Sequence, residues 1–485
     1  MPLYVLAGTW VVMAAVNFGT GRSLRFYLAL SLWTFANTIM LASGKGMFQA
    51  FLFVVLPSVL VGVTDYFGLG PITVEMVYLI PALNLIPYCW SGALKRYFPE
   101  RNQLARRYRL GPQVTLFALA GLLSAALGHG VKYPTQSLRA VGVIFVIPFF
   151  FYLYTSHAVR RLVNVKQVSV VLVSITAFYS AIMGIFQLGR LRSHYAQIAR
   201  NLVIYPMDKI DAMWKYTYGE GKIISVWPDA ASFGHVLCFV FPLALGLALL
   251  SKTPKVRILY FLSLGLILTG VMITGNRTDI IGAFLTFTLI VIAYWNRSAT
   301  LRGLLIRFAV IGFVAAAAVT ATRQSNGLTR LFMPQEWDVK TASSRTILIH
   351  EGLRMFKSSP LFGIGLDNFK DNQDYRVGDV YMVGNYAHNL FIQILAETGI
   401  VGFLCFAILM GSVFYLAPVL WRHRAETEMD FFCFLFLVGC IVLVIQGLVE
   451  NSLFYVQTAS LFWTGAGIWR GRAMELKCRE TREGP

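Results

Sequence analysis

Charge is what this chain has least of. Of 485 residues only 13% are charged, and 23 acidic side chains face 42 lysines and arginines, while 57% are hydrophobic and the mean hydropathy is +0.63. A soluble domain is excluded, because such domains carry roughly 25% charged residues. Cysteine is scarce as well. Cys89, Cys238, Cys405, Cys433, Cys440 and Cys478 all fall in predicted spans or the tail, without C-x-x-C spacing, so neither a disulfide scaffold nor a thiolate metal motif is available. A basic n-region is missing from the start, MPLYVLAGTW. No cleavable signal peptide is therefore expected, and the first helix is expected to serve as the insertion signal. Ten-residue alternation is absent too, which excludes a transmembrane barrel.

What the chain does have is unbroken apolar runs of about 17–25 residues, the length that crosses a hydrocarbon core roughly 30 Å thick. They lie near 3–19, 24–43, 47–64, 71–93, 112–130, 138–156, 168–189, 230–250, 258–274, 278–295, 305–321, 389–416, 431–449 and 453–469. The expected fold is all-α, a polytopic membrane bundle of about 12–14 helices with a large outer loop carrying short helices. Its expected divisions are N-terminal spans in 1–189, an interfacial segment in 190–229, central spans in 230–321, the large loop in 322–387, and C-terminal spans with a short tail in 388–485.

Lysine and arginine give the orientation, since short cytoplasmic loops retain positive charge. The cluster Lys95, Arg96, Arg101, Arg106, Arg107 and Arg109 is set inside. Counting spans then places Arg160 and Lys166, Lys252 and Arg257, Arg297 to Arg307, Arg422 and Arg424, and the tail from Arg470 to Arg482 on the same side. Arg22 and Arg25 fall outside in this scheme. The formal net charge of +19 thus reads as topology plus contact with anionic lipid rather than nucleic-acid binding.

This parity puts 190–229 and 322–387 on the outer face. The first mixes Tyr and Trp with Arg and Lys, which suits either an interfacial helix or a plain linker. The second carries both signs of charge. Within it, SSRTILIHEGLRMFK (343–357) reads as a serine-capped helix with Arg345 in its first turn. SSPLFGIGLDNF follows, where Gly363 and Gly365 permit a sharp turn and close approach of backbone to a ligand.

Further residues stand out by depth. Arg277, in ITGNRTDIIG, lies at the outer mouth between two spans; it either snorkels to headgroups or converges with Arg345 on an anion that guanidinium forks match. In NYAHNLFIQILAETGIVG, Asn389, Gln393 and Glu397 recur every four residues as one polar stripe entering the bilayer. Glu397 there suits either function or structural pairing. His388, at the water boundary, either starts the helix or acts as a base, since a neutral imidazole accepts a proton near physiological pH. Glu450 and Asn451, at the end of a later span, border the site or simply cap a helix.

The order GNR (Arg277), SSRTILIHEGLRMF, P-L-F-G-x-G-x-x-x-F (Pro360 to Phe369) and H-N-x-x-x-x-x-L-A-E-x-G-I-x-G (His388 to Gly402), with SVWPDAASFGHVLCFVFPLALGL upstream, resembles the O-antigen ligase and O-antigen polymerase superfamily over roughly residues 225–415. One departure is visible. Where the family often has an aromatic residue after the S-R pair, this chain has Ile347, Leu348 and then His350; either the helix packs differently there or His350 joins the polar site.

The resemblance implies an inverting glycosyltransferase of the bacterial inner membrane, with its active face periplasmic and with neither a metal nor a cofactor. Its donor would be an undecaprenyl diphosphate-linked glycan and its acceptor a glycan or lipid A-core, with the lipid bilayer and other polysaccharide-assembly proteins as candidate partners. In that reading Arg277 and Arg345 hold the diphosphate, with Gly363 and Gly365 nearby. His388 is the base, positioned by Asn389 and aided by Glu397. A polysaccharide polymerase is slightly favoured over a ligase; a relative acting on protein serine or threonine is a third form. The rivals are a transporter or flippase of lipid-linked glycan, for which no internal repeat is seen, and a structural anchor of an assembly complex.

Overall fold

The computed structural model describes residues 66–69, 72–75, 110–142, 147–159, 161–188, 230–294, 303, 336–373, 376–377, 380–381 and 386–483. The apolar runs at 3–19, 24–43, 47–64 and 305–321, the basic clusters at Arg22 and Arg25, Lys95 to Arg109 and Arg297 to Arg307, and the segment 190–229 lie wholly or almost wholly outside these residues.

Helices dominate, as they must where no water is present to satisfy backbone amides. In chain order they are α1 (Gly111–Leu127), α2 (Pro134–Ala140), α3 (Ile147–Ala158), α4 (Leu162–Leu188), α5 (Ala230–Leu250), α6 (Pro254–Ile273), α7 (Arg277–Tyr294), α8 (Glu336–Ser358), α9 (Leu390–Phe414), α10 (Ala417–His423), α11 (Glu428–Gln446) and α12 (Val456–Glu483). Two short antiparallel hairpins accompany them: β1 (Tyr66–Leu69) with β2 (Ile72–Glu75), and β3 (Arg376–Val377) with β4 (Val380–Tyr381). Among the described residues four segments, Ala231–Leu250, Pro254–Ile273, Leu390–His423 and Glu428–Gln446, are long and apolar enough to cross a membrane. They coincide with the runs expected at 230–250, 258–274, 389–416 and 431–449. The chain is a multi-pass, helical membrane protein.

Helix α5 is the axis of the bundle, packed against α4, α6, α7, α11 and α12, with Phe233, Phe239 and Phe241 fully buried. By contrast α6 leaves Ile258, Leu259 and Leu262 exposed, an apolar face fit for lipid tails. The two ends of the bundle differ in their chemistry. At one, Lys166 pairs with Glu428, Arg472 with Asp430 at 2.7 Å and Arg422 with Glu480 at 3.2 Å. At the other, the α1–α2 connection meets residues 359–373, and His388 and Asn389 meet the turn after α11.

Three expectations are corrected. The run at 71–93 opens as strand β2, whose β-branched Ile72, Thr73 and Val74 follow a turn-prone Gly70–Pro71 pair. Ser343 and Ser344 do not cap a helix, because α8 begins earlier at Glu336 and no glycine or proline interrupts it before them. Arg470 is buried rather than part of a solvated tail. It donates to the Ser412 and Val413 carbonyls at the end of α9 and to the Tyr152 hydroxyl, which suits a cation at a helix C-terminus.

Candidate functional site

The site is built where α9 begins. Asn389 is its N-cap: Oδ1 accepts from the amides of Phe391 and Ile392, each at 3.0 Å. The same side chain reaches across to α11, with Nδ2 donating to the Leu448 carbonyl at 2.7 Å, and the Leu390 amide donates to the Gly447 carbonyl at 2.7 Å. His388 is thereby held at φ 48°, a left-handed conformation that is uncommon for a side chain of this kind. Behind it, Gln393 accepts from the Ala387 amide at 3.2 Å. The polar stripe read from the sequence thus fixes the backbone that presents the imidazole.

That imidazole meets a carboxylate from 62 residues away. His388 Nδ1 lies 2.7 Å from Glu450 Oε2, and the other oxygen, Oε1, accepts from the Arg345 guanidinium. Glu450 stands in the turn after α11, its amide bonded to the Gln446 carbonyl at 3.0 Å. Its side chain is 5% exposed, whereas His388 and Arg345 are 35% and 33% exposed. The anion is therefore interior, and its two partners face outward. Burial would raise the Glu450 carboxyl, but the hydrogen bond and charge of His388 and the charge of Arg345 outweigh it and hold the group below the usual carboxylate range. An ionised carboxylate only accepts, so Nδ1 is the nitrogen that donates to it, and in the neutral tautomer this leaves the lone pair on Nε2.

Arg277 opens α7 after Gly275, which turns at φ 68°. Two residues on, Asp279 is fully buried and accepts from Gln446 Nε2 at 3.2 Å. The start of α7 therefore abuts the same end of α11 that carries Glu450. The structure brings Arg345 and His388 onto one carboxylate, and Arg277 opens the helix whose Asp279 meets the same end of α11. His350 is exposed on α8 and makes no hydrogen bond or ion pair with the trio.

Glu397 has a different setting. Its oxygens accept from the Asp367 amide at 2.9 Å, the Phe369 amide at 3.1 Å and Gln393 Nε2 at 3.1 Å. It holds the loop after α8, and none of its hydrogen bonds goes to His388. The glycines expected to permit close approach of backbone do so against protein, Gly363 at α9 and Gly365 at α2. A Cβ on Gly363 would lie 2.3 Å from the Glu397 carbonyl carbon, and one on Gly365 would lie 2.9 Å from Ser137 Oγ. Helix α9 breaks at Gly399 (φ 64°), and the amides beyond the break are taken up by this loop: Ile400 donates to Pro360 at 2.8 Å and Val401 to Leu361 at 3.3 Å. Irregular backbone inside a span is tolerated only where protein covers it.

Glu450 is the residue that sequence reasoning undervalued, because an acid at a helix end also reads as a cap. The available signal was an acidic residue at the outer end of a span in an acid-poor chain. His235 is a second such residue. It is fully buried inside α5 with Nε2 3.9 Å from Asp279 Oδ1, and an imidazole within a span is a signal by itself. Among the described residues no group of three or more His, Cys, Asp or Glu could hold a metal ion.

A carboxylate-backed imidazole beside a guanidinium can accept a proton while a neighbouring cation receives negative charge. Comparison with known proteins fits this arrangement. Residues 262–407 match the O-antigen ligase family, a stretch that contains Arg277, Arg345, His388 and Glu397 and stops short of Glu450. The chain is also 28% identical over 182 residues to the exopolysaccharide production protein ExoQ of Rhizobium meliloti (strain 1021), covering 35% of this chain and 39% of the relative. The chain thus spans about two fifths of the length of that curated relative. Both matches support a likeness of this multi-pass membrane protein, over residues 262–407 for the family, to the O-antigen ligase and polymerase superfamily.

Proposed function

We propose that this protein transfers a glycan from an undecaprenyl diphosphate-linked donor to a glycan acceptor at the periplasmic face of the bacterial inner membrane, with inversion at the anomeric carbon. The observation that carries the reading is the shared carboxylate of Glu450, which sets a base and a cation side by side at the loop-bearing end of the bundle. His388 Nε2 takes the proton of the acceptor hydroxyl as its oxygen attacks the anomeric carbon. The bond to the diphosphate breaks, and the leaving group departs with the electron pair. Arg345, with Arg277 at the neighbouring helix start, stabilises the charge that grows on it. Glu450 balances the imidazolium that forms, and a general base of this kind is worth about 10²- to 10⁴-fold.

Polymerisation of repeat units is favoured over ligation to lipid A-core, in keeping with the production of exopolysaccharide named for the relative. The two differ only in acceptor. The test uses the purified protein in liposomes with a lipid-linked glycan, in the presence of a chelator and without nucleotide. Longer or transferred glycan is expected from the wild type, and none from His388→Ala, which should still bind donor. Full activity in His388→Ala removes the base assignment. Passage of lipid-linked glycan across the bilayer without any new glycosidic bond supports a flippase instead.

A further inference from the structure

Two residues other than glycine adopt left-handed backbone among the described residues, and they are His388 (φ 48°) and Asp367 (φ 60°). The same two buried side chains support both. Gln393 accepts from Ala387 beside His388, Glu397 accepts from the amide of Asp367, and Gln393 and Glu397 are bonded to each other at 3.1 Å. Backbone strain of this type persists where its surroundings over-determine it, and it clusters at working sites.

Asp367 is not isolated. Its Oδ1 accepts from the Tyr386 hydroxyl at 3.2 Å, and Lys370 Nζ lies 3.6 Å from the same oxygen and 5.5 Å above the Tyr386 ring. Its Oδ2 accepts from Gln136 at 3.1 Å. Tyr386 stands two residues before His388 and touches Phe454, at 6.5 Å between ring centroids, while His388 touches Glu450 four residues before Phe454. The two segments therefore meet in successive rungs: an acid–base pair, then an aromatic pair with a hydroxyl, a carboxylate and an ammonium at its edge.

We propose that Tyr386, Asp367 and Lys370 form the subsite that holds the acceptor sugar beside the base. The proposal rests on the glycosyl-transfer reading and adds where the acceptor binds. Sugar hydroxyls both donate and accept, and this cluster offers a carboxylate and a phenol oxygen to accept, with an ammonium to donate. The apolar C–H face of a pyranose suits the body of an amphipathic ring. Charge separates the two stations: Asp367 and Lys370 cancel, so the subsite favours hydroxyl groups, whereas a diphosphate is drawn to Arg345. The three side chains are accessible, with Lys370 29% and Asp367 20% exposed and Tyr386 half-buried.

The test measures acceptor KM and donor affinity separately in the reconstituted full chain. The acceptor probe is the oligosaccharide released by mild acid from the producing cell's own surface polysaccharide. Tyr386→Phe and Asp367→Gly are the informative variants. Glycine tolerates a φ of +60°, so Asp367→Gly removes the carboxylate while relaxing the backbone, and its thermal stability is expected to hold. Acceptor KM is expected to rise about tenfold or more in each, the loss of one hydrogen bond to a charged or paired group, with donor affinity unchanged. Unchanged acceptor KM in both variants, or donor affinity falling in step with KM, overturns the subsite. If His388→Ala is inactive while both variants keep wild-type KM, only the subsite fails; if His388→Ala is fully active, the transfer reading fails first.

Discussion

Replacing Glu450 by glutamine should cost most of the catalytic rate, for reasons that can be worked from two contacts. One oxygen of Glu450 serves His388 at 2.7 Å and the other serves Arg345. Both partners are met as donors, so both positions require an acceptor. An amide supplies one oxygen and one NH₂ group. If the oxygen faces Arg345, the NH₂ group faces Nδ1, which must then become the acceptor; the hydrogen moves to Nε2 and the lone pair turns away from the acceptor hydroxyl. If the oxygen faces His388, the NH₂ group opposes a guanidinium. Either way the charge that balances the imidazolium is gone. Two unit charges about 4 Å apart at an effective dielectric constant near 20 interact by about 4 kcal/mol. With His388 one-third exposed, roughly 3 kcal/mol remains, a fall in kcat of about 10²-fold. Single-turnover transfer in proteoliposomes with saturating donor reads this directly. Glu450→Asp should lose less, because it keeps the charge and shortens the reach. A Glu450→Gln protein whose kcat stays within threefold of wild type refutes the argument.

Arg345→Ala should weaken donor binding by about 10- to 100-fold, the worth of one charge-assisted hydrogen bond, as measured by displacement of labelled undecaprenyl diphosphate. Arg345→Lys should rescue only part, since its fork geometry is lost; full rescue argues against direct diphosphate contact. The carboxyl of Glu450 is held low in the folded protein, so its contribution is complete above the ordinary carboxylate value and is lost as pH falls through the depressed one. Hydrogen exchange at the start of α9 should therefore stay protected down to the ordinary carboxylate value and open only below it; opening above that value contradicts this. Gly399→Ala should lower the melting temperature in detergent by several degrees. Its φ of 64° with ψ −169°, a combination almost confined to glycine, costs an L residue about 1–3 kcal/mol, and its Cβ would lie 2.3 Å from the Leu361 carbonyl. Gly411→Ala, in the same helix with nothing within 4 Å of an added Cβ, should be neutral or slightly stabilising; equal losses in both would show that the break is not special.

Much of this arrangement was legible in the sequence, and what was missed has a physical reason. The four long spans could be read because crossing hydrocarbon fixes a run length. The start of α9 could be read because an apolar run opens just after His388 and polar residues recur on one face. The partner of His388 could not, since a carboxylate 62 residues away enters only through the way α11 ends. Gly363 and Gly365 were correctly seen as points of close approach, yet a glycine does not reveal what approaches it. Glu397 shows the same limit: a buried acid in a span signals a requirement for donors, and here backbone amides of the loop supply two of them. Arg470 was read as tail charge because sequence does not show that the end of α9 lies beside it.

The break in α9 bears on how the chain is made. The carbonyls of Pro360 and Leu361 leave the ribosome about forty residues ahead of the amides of Ile400 and Val401 that they accept. The loop after α8 is thus already synthesised when the following span enters the translocon, and the interrupted helix completes its bonding against a partner that preceded it. Shortening that loop would strip the amides of Ile400 and Val401 of these acceptors, so loop and span complete one another.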